Sequence, residues 1–541
     1  MYIRLLVCRN KDGTTRSYLH LLRSRRVNGR TRQELVCSLG RLDLMCSDGS
    51  LDRLIEGLSH YSERQWVQMQ ALQGGWQKIY GPVLVFRRLW EQLRLDKLLN
   101  ELQARTSVQF SLDEAIFAMV LHRLLDPGSK RATQQWLETA YRPQFETLEL
   151  QHLYRALDRL LWGKETIEES LFNRNCNLFA LNVDLVLFDT TLVHFEGHGP
   201  EDLATLGRPG NYPDCVKVLV GLILTRDGFP IAHQVFPGNT ADIKAFKAAI
   251  KDLKQRFNLR RVIIVADRGC VSSTLIEGLE KKKPGETQID YILGMRLRKN
   301  REVKKEVLRR AGRYHEVSDN LELKEIWVGE HRYVVCHNPE EEIRDRRERE
   351  KIIEHTRQEL EAKGPKAFIM PRGVRRYVEL KGGELKLKER VIREDARYDG
   401  KWVLRTNTEL GAEEIAFAYK SLWQIEQAFR ELKSGLEINP VFLRTEDHVR
   451  GHIIVCFLAL VLEAALIRQL KQSVISGSSP EQSSEVKIRY REILRDLDKV
   501  RAEEIKANKK SWLVRTELAG QAMLAFQAVG IRPPPLVQSL T

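Results

Sequence analysis

An α/β fold is predicted, preceded by a β-rich module and a helical region. Two nearly continuous apolar runs, 183–188 and 262–266, each stop at an aspartate, Asp189 and Asp267. Runs of this kind read as strands buried on both faces. Between them, Val216 to Thr225 and Ile231 to Phe236 flank Arg226-Asp227-Gly228 and read as a meander, and Thr240 to Phe257 reads as a helix. Strands, a helix and a further strand in that order predict a mixed sheet covered by helices.

The elements follow in chain order. Residues 1–65 form a small basic β-rich module, in which Ser17 to Arg26 and Arg30 to Leu39 flank the turn Val27-Asn28-Gly29, a strong hairpin signal. Arg23, Arg25, Arg26, Arg30 and Arg32 crowd its tip. They could grip a phosphate backbone or simply be solvated. Residues 66–178 read as helical and as a candidate DNA-binding region. Ser111-Leu-Asp-Glu114 is a capping box ahead of Ala115 to Leu125. Asp126-Pro127-Gly128 breaks that helix, and Ser129-Lys130-Arg131 opens the next. A helix-turn-helix has this signature, and so does a plain helical hairpin. Residues 179–295 and 405–470 carry the α/β pattern. Residues 296–404 read as an insertion: Glu340 to Lys363 is a charged helix, with strand-like runs at Arg332 to Cys336 and Tyr377 to Lys388. The apolar pattern resumes at Trp402-Val403-Leu404 and a helix from Glu413 to Lys433. The tail, 471–541, reads as helical, with a charged helix over 485–508 after the Ser/Gly/Pro-rich stretch Ser473 to Ser484.

The 541 residues exceed one compact core, so several domains are expected. Lys and Arg number 88 against 73 Asp and Glu, a formal net charge of +15. That excess points toward a polyanionic partner, although a basic protein without a nucleic-acid role has the same balance. The eight cysteines are dispersed with no C-x-x-C pair, which argues against a disulfide scaffold and for a reducing compartment. No signal peptide is read at the N-terminus. The longest apolar run, Ile453 to Leu462, falls short of the ~20 residues a membrane span needs. A soluble, cytoplasmic protein without a membrane partner is expected.

Asp189 and Asp267 carry the candidate chemistry. On adjacent parallel strands their carboxylates would project at one end of the sheet, where two anions side by side call for a divalent cation. Asp also commonly follows strands for turn chemistry alone. At helical spacing Tyr419, Leu422, Glu426, Arg430 and Lys433 form one stripe at the margin of the apolar face. A carboxylate at that margin can reach a site while its helix packs on the sheet.

Tyr419-x₂-Leu422-x₃-Glu426-x₆-Lys433 resembles the Tyr-Arg-Glu-Lys signature of bacterial insertion-sequence transposases of the DDE type, with Leu422 where the signature has Arg. LFDTT at 187–191, GFPIAHQVFPGNTAD at 228–242 and VIIVADRG at 262–269 are similar to the same group. The resemblance implies an RNase H-like catalytic core interrupted by a largely β insertion. It implies that Asp189, Asp267 and Glu426 are catalytic and hold two Mg²⁺ ions, with Mn²⁺ as a substitute. Tyr419 and Lys433 match positions that contact transposon-end DNA, and Arg430 is the candidate replacement for the missing signature Arg. Implied partners are double-stranded DNA, as transposon ends and target, and a second copy in a dimeric DNA complex. The implied setting is the bacterial cytoplasm, at the nucleoid.

Other chemistry has weaker support. There is no P-loop, H-E-x-x-H or G-x-S-x-G. His448 and His452 have a zinc-compatible spacing, but no cysteine or third ligand is read beside them. His194 reads as a loop residue. An RNase H-like nuclease that does not join, a non-catalytic transposase-derived DNA-binding protein and an RNA-binding protein stay open.

Overall fold

The computed structural model describes residues 1–27, 30–59, 61–62, 73–175, 184–206, 215–257, 261–280, 288–363, 377–381, 384–477, 490–507 and 510–540. Chain contacts divide into two units, Met1–Trp76 with Glu503–Val514 and Val537–Thr541, and Gln77–Ala502 with Arg515–Leu536.

In the first unit, β1 (Tyr2–Arg9), β2 (Thr15–Val27) and β3 (Arg30–Arg41) form an antiparallel sheet in the order β1-β2-β3. Val27 pairs with Arg30, as a two-residue hairpin requires; the expected turn residues Asn28 and Gly29 lie outside the described residues. Arg25 stands directly opposite Arg32, a like-charge pairing that weakens a ladder.

The second unit is built on α1 (Leu112–Leu125), α2 (Lys130–Leu137) and α3 (Leu150–Asn175), followed by a mixed sheet of ten strands. Ser111 caps α1, its hydroxyl accepting from the Glu114 amide at 3.3 Å. The Glu114 carboxylate pairs with Arg142 instead of completing a capping box. Every residue from Leu112 to Leu124 is buried, and so is Lys130 at the start of α2. A groove-reading helix presents its N-terminal side chains to base edges, whereas α2 turns its first lysine inward and leaves Arg131 exposed. The pair is a core helical hairpin.

The sheet begins with β4 (Asp184–His194), β5 (Val216–Thr225) and β6 (Pro230–Pro237). It continues, after α4 (Asp242–Arg256), with β7 (Arg261–Ala266) and β8 (Gln288–Gly294). β5 is buried at every position from Lys217 to Leu224, as its unbroken apolar run dictates. β6, β5 and β4 are antiparallel neighbours, and β4, β7 and β8 are parallel neighbours.

The segment expected as an insertion does not stand apart from this sheet. β9 (His315–Ser318), β10 (Leu321–Val328) and β11 (His331–His337) are followed by the charged helix α5 (Pro339–Lys363) and the hairpin β12 (Val378–Lys381) and β13 (Glu384–Leu387). β14 (Lys401–Thr406) then inserts between β11 and β8, so the order runs β9-β10-β11-β14-β8-β7-β4-β5. The expected run at 332–336 is thus a strand of the main sheet, buried at its centre.

The expected single helix over 413–433 is two helices, α6 (Ala412–Lys420) and α7 (Trp423–Arg430), then a π-helical turn over Glu431–Gly435. Three-residue hydrogen bonds, such as Leu422 N to Tyr419 O and Ile425 N to Leu422 O, tighten the join.

Beyond it runs α8 (Glu446–Gly477), in which every residue from Gly451 to Glu463 is buried. A Cβ on Gly451 would lie 2.7 Å from the Leu157 carbonyl, so glycine lets α8 close on α3. This helix is longer than its ten-residue apolar run and could cross a membrane by composition, but 78% of its most apolar window is buried in the protein.

The tail departs from its expected helical character. Among the described residues of 485–508, only α9 (Tyr490–Asp498) is helical, and Arg501–Ala507 is a strand. Its ladder partners, Gln73-Gly74 in the first unit and Lys78-Ile79 in the second, outweigh local helix propensity.

Candidate active site

Register brings the two aspartates together. β7 pairs with β4 through Ala266 opposite Phe188, so the next residues, Asp267 and Asp189, leave the ladder side by side. The expectation that both strands end there holds for β7 alone. β4 runs on to His194, paired with β5 from Asp189–Leu222 to His194–Lys217. The segment Thr190 to Val193 is β-branched and apolar, which suits a continued strand. His194 is accordingly a strand residue.

Each carboxylate is held by its own partner. Asp189 Oδ1 accepts from the Thr190 amide at 2.8 Å. Asp267 Oδ1 accepts from the Tyr419 hydroxyl at 2.6 Å. Gly294, which follows the β8 residue paired with Ala266, makes room for that hydroxyl, since a Cβ there would lie 2.3 Å from it. Arg296 clamps the loop after Asp267 by donating to the carbonyls of Arg268 at 2.9 Å and Gly269 at 3.1 Å.

A third acid enters that the sequence reading assigned no role. The Thr190 hydroxyl donates to Asp242 Oδ1 at 3.1 Å, and Asp242 sits in the first turn of α4, where the helix dipole favours an anion. The signal was present in LFDTT, where Asp189 adjoins Thr190, and in GNTAD, where Asp242 opens the helix two residues after Thr240.

Negative charge accumulates at this point. Burial, then the charges of Asp267, Asp242 and Glu426, push the Asp189 carboxyl up to about 6 against the lowering effect of the Thr190 amide. Glu426 is exposed on α7, close enough for its charge to act on Asp189. Lys433, half-buried in the π-turn, has its pKa lowered by burial and acts on His194 at the far end of β4. The expected stripe is therefore distributed along the sheet, with Tyr419 at Asp267, Glu426 near Asp189 and Lys433 near His194. Leu422 is buried, and Arg430 is exposed with no ion pair among the described residues.

The acids offer the hard oxygen donors that Mg²⁺ and Mn²⁺ prefer, and their mutual repulsion suits a cation. Among the described residues, however, no three His, Cys, Asp or Glu side chains are grouped closely enough to hold a metal ion. The zinc reading at His448 and His452 gains nothing. His448 pairs with Asp158 at 3.2 Å, and His452 is buried. A cysteine does lie one helical turn beyond His452, with Cys456 Sγ at 3.7 Å from His452 Nε2.

Two family models match the chain, one described as the transposase DDE domain over residues 184–462 and one as the N-terminal domain of IS1634 family transposases over residues 6–71. No curated protein matches.

Proposed function

The chain belongs to the insertion-sequence DDE transposases, and on that premise we propose that it cleaves transposon ends and joins them to target DNA at Asp189, Asp267 and Glu426. The observation that carries this reading is the β4–β7 register, which sets Asp189 beside Asp267 within reach of the Glu426 charge. The strand order β6-β5-β4-β7-β8, with the last three parallel, supports reading the core as RNase H-like.

Asp189 and Asp267, with Glu426 drawn in to complete a set that is not grouped among the described residues, would hold divalent ions, and those ions would supply activation of the attacking oxygen and stabilisation of the leaving oxygen of a phosphodiester. The chain's own part is to fix the acids. Rigid strands position Asp189 and Asp267. The Thr190 amide and the Tyr419 hydroxyl each occupy one carboxylate oxygen and set its orientation. Thr190 also ties Asp189 to α4 through Asp242. Glu426, on a short helix between a tightened join and a π-turn, closes on the aspartates as part of this proposal. Arg430 and Lys433 face DNA phosphates, Arg430 replacing the cation absent at Leu422. Tyr419, its hydroxyl already engaged, holds Asp267. The arginines at the β2–β3 tip bind DNA backbone, which accounts for tolerating Arg25 opposite Arg32. Joining two ends requires two copies in the DNA complex.

The test is cleavage and joining of labelled terminal DNA with Mg²⁺ or Mn²⁺, using wild type beside Asp189→Asn, Asp267→Asn and Glu426→Gln. Wild type should yield joined products, and each variant should bind DNA yet lose cleavage by at least about a thousandfold, a loss of about 4 kcal/mol in transition-state stabilisation. Variants that cut like wild type would remove the triad. Cutting without joining would leave a nuclease, and binding without cutting a non-catalytic protein.

A further inference from the structure

Several part-buried cations of the second unit sit against buried carboxylates, whereas two fully buried ones that lie together do not. Lys164 and Arg256 pair with Glu168, and Arg87 and Arg142 with Glu114. Arg123 on α1 and Lys130 on α2 are 5% and 4% exposed, and neither has a carboxylate partner among the described residues. Both line one cavity of about 150 Å³, a size that in other proteins admits a benzene-sized guest.

Among the described residues that line the cavity, no carboxylate balances the charge. Arg123 donates to the carbonyls of Leu436 and Glu437 at 3.3 Å each and of Gly128 at 2.6 Å, while its Nε has no partner. Lys130 Nζ meets one neutral acceptor, His452 Nδ1 at 3.4 Å. Burial, then Arg123 and Lys130, push His122 down to about 3, and burial with the same two cations pushes His452 well below its ordinary value. Burial pushes the Cys456 thiol up. The imidazoles and the thiol therefore stay neutral at neutral pH. Glu437 is the one acidic residue among the described residues lining the cavity; it is exposed and supplies its backbone carbonyl to Arg123. The first turn of α2 adds backbone N–H groups and the positive end of its dipole.

We propose that Arg123 and Lys130 form a phosphate site, and that in the working protein it takes one backbone phosphate of bound DNA. A buried cation without a counter-charge is unfavourable, and burial, then Arg123, accordingly lower the Lys130 amine to about 7; a phosphate would restore its charge and supply acceptors for the unused N–H groups. The cavity wall reaches the strand that carries Asp189, at its far end: Asn439 Oδ1 accepts from the amide of His194. The DNA source rests on the transposase reading; the phosphate chemistry does not.

Two arms test it on the full chain. In the first, inorganic phosphate replaces chloride at matched ionic strength, and thermal unfolding of wild type is compared with Lys130→Met. Wild type should rise in Tm and the variant should not. In the second, the affinity for terminal duplex DNA is measured against salt. Each lost phosphate contact flattens the slope of log K on log salt by about 0.9, so Lys130→Met should fall by that amount. If Lys130→Met does not fold, Lys130→Gln takes its place, and calorimetric titration of wild type with phosphate reads the site directly. A phosphate effect with an unchanged DNA slope keeps the phosphate site and overturns its DNA source. Equal phosphate shifts and equal slopes in wild type and variant, or no saturable phosphate binding to wild type, overturn the proposal. Should wild type bind no DNA, the transposase reading falls while the phosphate arm still decides the site.

Discussion

The Tyr419 hydroxyl donates to Asp267 Oδ1 at 2.6 Å, tying the helix α6 to the end of the strand β7. Burial, then the Asp267 charge, raise the tyrosine pKa, so it remains a donor throughout the physiological range. Partners that orient a metal-holding carboxylate are typically worth about 10–100-fold in metal affinity or activity. Tyr419→Phe should lower cleavage by that factor and leave affinity for terminal DNA unchanged. Gly294→Ala should do the same by pushing the hydroxyl away. A variant that loses DNA affinity but cuts bound DNA normally would return Tyr419 to the phosphate contact its signature position implies.

Asp189 should be a source of instability as well as activity. Its folded pKa of about 6 lies above the ordinary value of about 3.9. The folded state thus holds the proton more tightly, and stability falls as pH rises from about 4 through 6. In chelator at pH 7, Asp189→Asn should melt above wild type, and the gap should close near pH 4. Melting below wild type at pH 7 would contradict the charge accumulation at this site.

Arg430 is exposed and free of ion pairs among the described residues, one turn beyond Glu426. Arg430→Ala should weaken terminal DNA binding and flatten its salt dependence by about one contact, a slope change of about 0.9. Unchanged binding and cleavage would end its candidacy as the replacement for the signature arginine.

Glu168 anchors the helix that carries Asp242. Its carboxylate lies 2.7 Å from Lys164 Nζ, 2.9 Å from Arg256 at the end of α4, and 2.8 Å from His233 Nδ1 on β6. Burial alone would raise its pKa, but Lys164, His233 and Arg256 together hold it down to about 2. A depressed carboxyl stabilises above its unfolded pKa of about 4.3, and that contribution is lost as pH falls toward 2. Glu168→Ala strands three basic groups and should cost about 3–5 kcal/mol, read by denaturant unfolding at pH 7. The deficit should shrink as the pH is lowered, and a constant deficit would mean that packing alone is lost.

Much of the core was legible because burial on both faces writes itself as unbroken apolar sequence. β5 begins and ends where its hydrophobic run does, and β7 stops at Asp267. What stayed hidden depended on partners remote in sequence. The continuation of β4 past Asp189 is set by β5, and the strand at Arg501–Ala507 by segments more than four hundred residues earlier. The split between α6 and α7 defeated a uniform helical wheel, because a tightened join and a π-turn each change the rotation per residue. Asp242 escaped notice because an acid at a helix start reads as ordinary capping.

The chain leaves the main sheet at His337 and re-enters it at Lys401, and these two residues are ladder partners. Geometrically, 338–400 is an overgrown hairpin loop whose ends are already together. Closing a loop of any length between such fixed ends changes the free energy only logarithmically. The segment holding α5 and the β12–β13 hairpin can therefore lengthen, shrink or be exchanged for a foreign domain while β11 and β14 keep their register. A reporter grafted between 338 and 400 would ride on the protein without displacing the strands that carry Asp189 and Asp267.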